Sequence, residues 1–178
     1  MKTYIALLRG INVGGHKKVP MAELRELLSK SGFENVRTYI QSGNIILQSS
    51  EVNLSKIESD IQQSIFSHFG FEVPVIANTR KEFQVIFDTC PYSEEQKENS
   101  YFIMLSAIPE TELLSLVSDI TFENEEFVII NDCIYFHSSV GYGRTKFNMN
   151  SFEKKLKVKA TSRNYKTMVK LLSLSIEN

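Results

Sequence analysis

Arg9, Lys17 and Lys18 bracket three glycines, Gly10, Gly14 and Gly15, in the stretch RGINVGGHKK from Arg9 to Lys18. Glycine admits positive φ and lets a backbone come close to a ligand, and cations beside a helix N-terminus attract anions. The first chemistry to test is therefore phosphate binding. Two specific versions fail on spacing. A Walker A loop requires G-x-x-x-x-G-K-[ST], whereas here the glycines are spaced differently and Val19, not a hydroxyl residue, follows Lys18. The dinucleotide fingerprint G-x-G-x-x-G fails too, both in its spacing and in its need for a parallel β-α-β unit. What survives is a generic anion site. In it Arg9, Lys17 and Lys18 are cationic donors, Asn12 supplies an amide, and Gly14 and Gly15 bring the backbone close. The competing reading is a Gly-Gly turn carrying solvated cations.

Other stretches add donors without adding a reaction. Gln41, Ser42 and Asn44, around Gly43, offer amides and a hydroxyl, and are also ordinary turn residues. In Thr161-Ser162-Arg163-Asn164-Tyr165-Lys166, Thr161 or Ser162 is expected to cap the last helix. That would place Arg163, Asn164 and Lys166 in its first turn, where cations oppose the dipole unless an anion or an acidic segment offsets them. The Gly-basic stretch 140–146 lacks P-loop spacing and reads as a mobile connection. His16, His68 and His137 have no metal-ligand spacing, and Cys90 and Cys133 stand far apart without a C-x-x-C, so no metal or cofactor is called for. No G-x-S-x-G elbow and no paired-carboxylate motif is present, so no catalytic residue is assigned.

The net charge of −1 conceals a division along the chain. From Thr89 to Glu126 nine acids face Lys97 alone, a local charge of −8; from Arg144 to Lys170 nine cations face Glu153 alone, a local charge of +8. Such asymmetry fits an anionic partner for the C-terminal part, or two segments that neutralise one another. Arg9 interrupts the first apolar run, and no stretch approaches the roughly 20 apolar residues of a membrane span. The sequence reads as a reducing, cytoplasmic protein with no membrane partner.

The elements that must position these residues alternate. Thr3 to Leu8 reads as a strand, and Met21, Leu24, Leu27 and Leu28 mark a helix between Pro20 and Gly32. Val36–Ile40 and Asn44–Gln48 read as a hairpin, a helix follows from Asn53, and Glu72 to Ala77 forms a further strand. This β-α-β-β-α-β order is the split βαβ unit. Because its strands alternate in direction, the loop after the first strand and the turn of the hairpin leave the sheet at the same end, so RGINVGG and QSGN should be neighbours.

A second, partial unit follows. It comprises a helix opened by the capping box Thr79–Glu82, a polar stretch at Pro91–Ser100, a strand at Tyr101–Ser106, a helix from Pro109, and a hairpin around Asn131-Asp132-Cys133. A helix capped at Asn150–Glu153 and a final amphipathic helix through Tyr165, Met168, Leu171 and Leu172 complete it. The expected organisation is a first half over 1–88, a connection over 89–100, and a second half with C-terminal helices over 101–178.

Three motifs in order, LLRGINVGGHKKVPMAEL (Leu7–Leu24), TYIQSGNI (Thr38–Ile45) and ATSRNYKT (Ala160–Thr167), resemble the bacterial family known as domain of unknown function 1697. Tyr165 stands where that family usually has Trp. The resemblance implies an α+β fold of duplicated ferredoxin-like halves with antiparallel sheets, and it carries no activity or catalytic residue. By analogy of fold alone, acylphosphatases use an Arg in the first loop and an Asn on the sheet. Arg9 and Asn44 are loosely comparable, but the acylphosphatase loop sequence is missing.

The favoured expectation is binding of a phosphorylated or otherwise anionic small molecule, with phosphoryl chemistry as its extension, by Arg9, Asn12, Gly14, Gly15, Lys17, Gln41, Ser42, Asn44, Arg163 and Asn164. A nucleic-acid-binding module ranks below it, because Asn44–Gln48 lacks the aromatics on which bases stack. A non-enzymatic interaction module using a sheet edge or the helical C-terminus is the third reading. Oligomeric state is left open.

Overall fold

In the computed structural model, which describes residues 1–139, 141 and 144–176, every residue from Thr3 to Leu8 of β1 (Lys2–Leu8) is buried. Burial without alternation is what a strand covered on both faces requires. β1 pairs antiparallel with β3 (Asn44–Ser49) on one side and with β4 (Val75–Thr79) on the other. β2 (Glu34–Tyr39) adds to β3, giving the order β2-β3-β1-β4. One face, with Tyr4, Ala6, Leu8, Ile45 and Leu47, is covered by α1 (Met21–Lys30) through Leu24 and Leu28, and by α2 (Leu54–Phe69) through Ile57, Ile61 and Ile65. Ile5, Leu7, Ile46 and Ile76, on the opposite face, are buried as well.

β4 is an edge strand, and its outer N–H groups need partners. Glu58 on α2 supplies one, accepting the Ala77 N–H at 2.8 Å on Oε1. Burial pushes the Glu58 pKa up, and the bond from Ala77 opposes that shift without cancelling it. A raised folded-state pKa contributes stability that is full below the unfolded carboxylate value and is lost as pH rises through the folded value. Glu58→Gln keeps an acceptor for Ala77 and removes the buried charge. We therefore expect a variant at least as stable as the parent at neutral pH and with a shallower loss of stability above about pH 4, measured by urea unfolding across pH. A less stable variant with an unchanged pH slope would contradict the assignment.

The next elements repeat the pattern. α3 (Arg80–Asp88) opens on the expected capping box: Glu82 N–H donates to Thr79 Oγ1 at 3.2 Å, and Thr79 N–H donates to Glu82 Oε2 at 2.8 Å. Inside the polar stretch lies α4 (Glu94–Glu98), capped by Ser93, which holds Lys97 buried with its ammonium 4.1 Å from the centre of the Phe87 ring. β5 (Ser100–Leu105), α5 (Thr111–Ser118), β6 (Glu125–Ile130), β7 (Cys133–Ser138), α6 (Met149–Leu156) and β8 (Ala160–Asn164) follow, and α7 (Tyr165–Leu174) is the last helix. The second sheet has the order β6-β7-β5-β8, matching the first strand for strand. The fold is thus mixed α+β, with two four-stranded antiparallel sheets and two similar halves, consistent with duplication. By internal contacts the chain divides into one unit of Met1–Val85 with Lys170 onward and another of Ile86–Val169. Both boundaries fall within helices, α3 and α7.

Two expectations are corrected. Thr161 and Ser162 do not cap the last helix. Residues 160–164 are a strand paired with β5, Ala160 opposite Leu105 and Asn164 opposite Tyr101, and the fourth place in the second sheet is filled by this polar segment. Arg163 therefore lies on a strand and not in the first turn of α7. The α6 cap is Asn148, accepting the Ser151 N–H at 3.1 Å, rather than a residue of Asn150–Glu153. Of the Gly-basic stretch 140–146, residues 140, 142 and 143 lie outside the described residues. Among the described residues, no helix is long and apolar enough to cross a membrane.

Candidate functional site

The loop after β1 and the turn between β2 and β3 meet at one end of the first sheet. The Leu8 N–H donates to the Gly43 carbonyl at 2.8 Å, where β1 gives way to the loop. Asn12 then ties the two segments together. Its Nδ2 donates to Gln41 O at 2.9 Å and to Val19 O at 3.0 Å, and its Oδ1 accepts the Val19 N–H at 2.9 Å. Asn12 sits at φ +55, a region that Asn tolerates better than most residues. Gly14 and Gly15, at φ +58 and +79, turn the chain so that His16 N–H reaches Val13 O at 3.0 Å. They make an exposed tight turn.

Several residues expected to face a ligand are spent on the protein itself. Lys17 donates to Glu72 O at 2.7 Å and lies 5.9 Å from the centre of the Phe71 ring, so it fastens the loop to the approach to β4. Asn44 is fully buried, its Nδ2 donating to Tyr39 O and Ser42 Oγ, both at 3.0 Å. Arg9 is half-buried at the end of β1, its own N–H bonded to Pro74 O at 3.1 Å. Ser42 and Gln41 are exposed.

Beside this junction runs a shallow groove lined by Asn12, Lys18, Pro20, Met21, Arg25 and Gln41 among others. Two cations and no carboxylate line it. Pro20 stands at the α1 N-cap with no side-chain cap, so the positive end of the helix dipole opens beside the groove. Glu23, the acid of the first turn, is drawn to His68 Nε2 at 2.6 Å and does not line the groove. Arg25 spends one donor on Thr38 Oγ1 at 2.6 Å. Its place in the groove was not read from the sequence, though its position one turn after Met21 on the same helix was a usable signal.

The turn that delivers Gln41 is strained. Ile40 takes φ +49, a conformation that costs a β-branched residue about 1–3 kcal/mol, and it is half exposed. The bonds from Asn12 to Gln41 O and from Asn44 to Tyr39 O clamp it on either side.

Arg163 and Asn164 belong to the second unit. Arg163 is buried on β8, donating from Nη1 to Thr161 Oγ1 at 3.0 Å and to Ser162 O at 2.8 Å, and burial pulls its pKa down to about 10. It remains charged at neutral pH. Asn164 is the cap that the sequence placed at Thr161 or Ser162: its Oδ1 accepts the Thr167 N–H at 2.9 Å. Cys133 is buried and Cys90 half-buried, and burial pushes both thiols up, away from nucleophilic character.

The family model described as "Protein of unknown function (DUF1697)" matches residues 1–135, which include the first two motifs and stop short of the third. Among solved structures, a conserved bacterial protein from Streptococcus pneumoniae is similar at a TM-score of 0.72 and 24% identity, covering 98% of this chain and 99% of that one. This likeness concerns the fold. No curated protein matches the chain.

Proposed function

The chain belongs to the DUF1697 family, and on the chemistry of its first unit we propose that it binds a phosphorylated or otherwise anionic small molecule in the groove between the start of α1 and the Tyr39–Asn44 turn. The observation that carries this reading is the charge of the lining: Lys18 and Arg25 face the groove, no carboxylate does, and the uncapped helix end adds its dipole. Lys18 would act as a point charge, Arg25 as a fork with donors beyond the one given to Thr38, and Gln41 as a neutral amide that fixes orientation. Asn12, Asn44 and Lys17 support the site by shaping the loop and turn. The clamped strain at Ile40 supports it too, because a conformation of that cost persists only where its surroundings enforce it. No reaction is assigned, since no nucleophile or general base converges on the groove.

Thermal shift with inorganic phosphate, pyrophosphate and a nucleoside monophosphate at constant ionic strength tests the reading. A saturable rise in Tm is expected, weakened about tenfold or more in apparent affinity by Arg25→Ala and less by Lys18→Ala, because a charge-assisted bond contributes about 1.5–3 kcal/mol. A flat response to all three anions, or the same response in both variants as in the parent, overturns it.

A further inference from the structure

In the second unit a separate polar groove lies where β5 and α7 begin and β7 ends, lined by Glu98, Ser100, Tyr101, Ser138, Asn164 and Lys166 among others. The pairing creates it. Ser100 stands opposite His137 and Tyr101 opposite Asn164, so the starts of β5 and α7 and the end of β7 come together at one end of the sheet. α7 follows β8 without a linker, and its positive end opens here. Its first turn carries no acid but does carry the exposed Lys166, and Glu98 is the one carboxylate among the residues that line the groove. Asn164 satisfies only the Thr167 N–H.

A second observation points to a ligand independently. Ser138 is 95% buried, at 5% exposure, and its hydroxyl has no hydrogen-bond partner among the described residues. Three other buried side-chain atoms share that condition, on Asn78, Arg80 and Ser162, and none of those residues lines this groove. A hydroxyl that has lost water and gained no partner is a donor waiting for an acceptor. Ser100, by contrast, has spent its hydroxyl on Gln96 O at 2.7 Å.

From these two observations we infer that the groove at the start of α7 is a binding site for a small anionic oxygen group, a phosphate or a carboxylate, held by Lys166, the α7 dipole and the Ser138 hydroxyl. Ser138 donates its proton to an anion oxygen and Lys166 neutralises the charge. The site goes beyond the first-unit reading and does not depend on it.

The test is an amide NMR titration of the full chain with sodium phosphate and, separately, sodium acetate, each against sodium chloride at equal ionic strength. Saturable shifts at Ser138, Ser139 and Asn164 to Thr167 are expected with at least one of the two anions, and the one that acts identifies the group. Lys166→Ala should weaken that binding about tenfold or more. Ser138→Ala should weaken it as well while leaving Tm unchanged or raised, because it removes an unpartnered hydroxyl and no internal bond. Lys18→Ala and Arg25→Ala should leave these shifts untouched, which separates failure here from failure of the first site. Shifts that chloride reproduces, that neither anion causes, or that survive Lys166→Ala would overturn the inference. A fall in Tm for Ser138→Ala would also do so, since the hydroxyl would then have a structural partner.

Discussion

Gly43→Ala is expected to destabilise the protein by about 2–5 kcal/mol, enough to unfold a large share of a domain of ordinary stability. Two costs combine. Gly43 takes φ +80, which costs a residue with a Cβ about 1–2 kcal/mol. The added Cβ would also stand 2.6 Å from Leu8 Cβ and 3.0 Å from Ile11 Cδ1, both fully or almost fully buried in the first core. Overpacking of that kind costs a further 1–3 kcal/mol or so, because Leu8 Cβ cannot move aside without its backbone. Gly15→Ala is the control. Its φ of +79 is nearly the same, but a Cβ there meets nothing within 4 Å, so only the conformational cost of about 1 kcal/mol remains. Urea unfolding of both variants measures the difference, and a Gly43→Ala as mild as Gly15→Ala would refute the close approach of turn and loop. The Leu8 to Gly43 bond depends on the same approach, so any anion response of the neighbouring groove should be lost with it.

Asn12→Ala is the second large effect, about 2–4 kcal/mol, for a residue whose side chain is only partly buried. The substitution removes two donated bonds and one accepted bond, each contributing about 1 kcal/mol net, and leaves Ala at φ +55. Asn12→Gly should be less damaging than Asn12→Ala, because it relieves the backbone while losing the same bonds. Asn12→Asp keeps the acceptor for the Val19 N–H but turns a carboxylate oxygen toward the carbonyls of Val19 and Gln41. At neutral pH it should be at least as harmful as Ala. These outcomes are read by equilibrium unfolding and by hydrogen exchange at the Val19 amide, which loses its partner in the Ala and Gly variants. If Asn12 acted mainly as a ligand contact, all three variants would bind more weakly with unchanged stability, and that pattern would defeat the structural role assigned here.

The split between what was legible and what was not runs through single residues. That Asn12 and Gln41 would be neighbours followed from counting strand directions, since an antiparallel sheet sends the first loop and the hairpin turn to one end. That the Asn12 amide would bind backbone rather than ligand did not follow, because an amide satisfies either partner equally well and the choice depends on sub-ångström placement of two segments 29 residues apart. The same holds for Asn44 and Lys17, whose donors go to the Tyr39 and Glu72 carbonyls. Arg25 carries no local mark of a site, because a charged residue on an amphipathic helix is ordinary until the turn after β2 packs beside it. The segment 160–164 reads as a cap in isolation, since Thr, Ser and Asn favour both caps and polar edge strands. Only the vacant place beside β5 selects the strand.

The sequence by itself determined the element order of the first half, the antiparallel pairing that follows from it, the β-α-β-β start of the second half, and the end of the first sheet where glycines, cations and amides gather. These depend on local periodicity, turn chemistry and connection length, each written within a few neighbouring residues. Tertiary structure alone decided which of those polar groups remain available. It spent Asn12, Lys17 and Asn44 on the fold, buried Arg163 on a strand, brought Lys18, Arg25 and Gln41 to one groove, and left the Ser138 hydroxyl without a partner beside α7. The reason is that a hydrogen bond is made or missed within a few tenths of an ångström, and positions are fixed to that tolerance only when the whole core has packed.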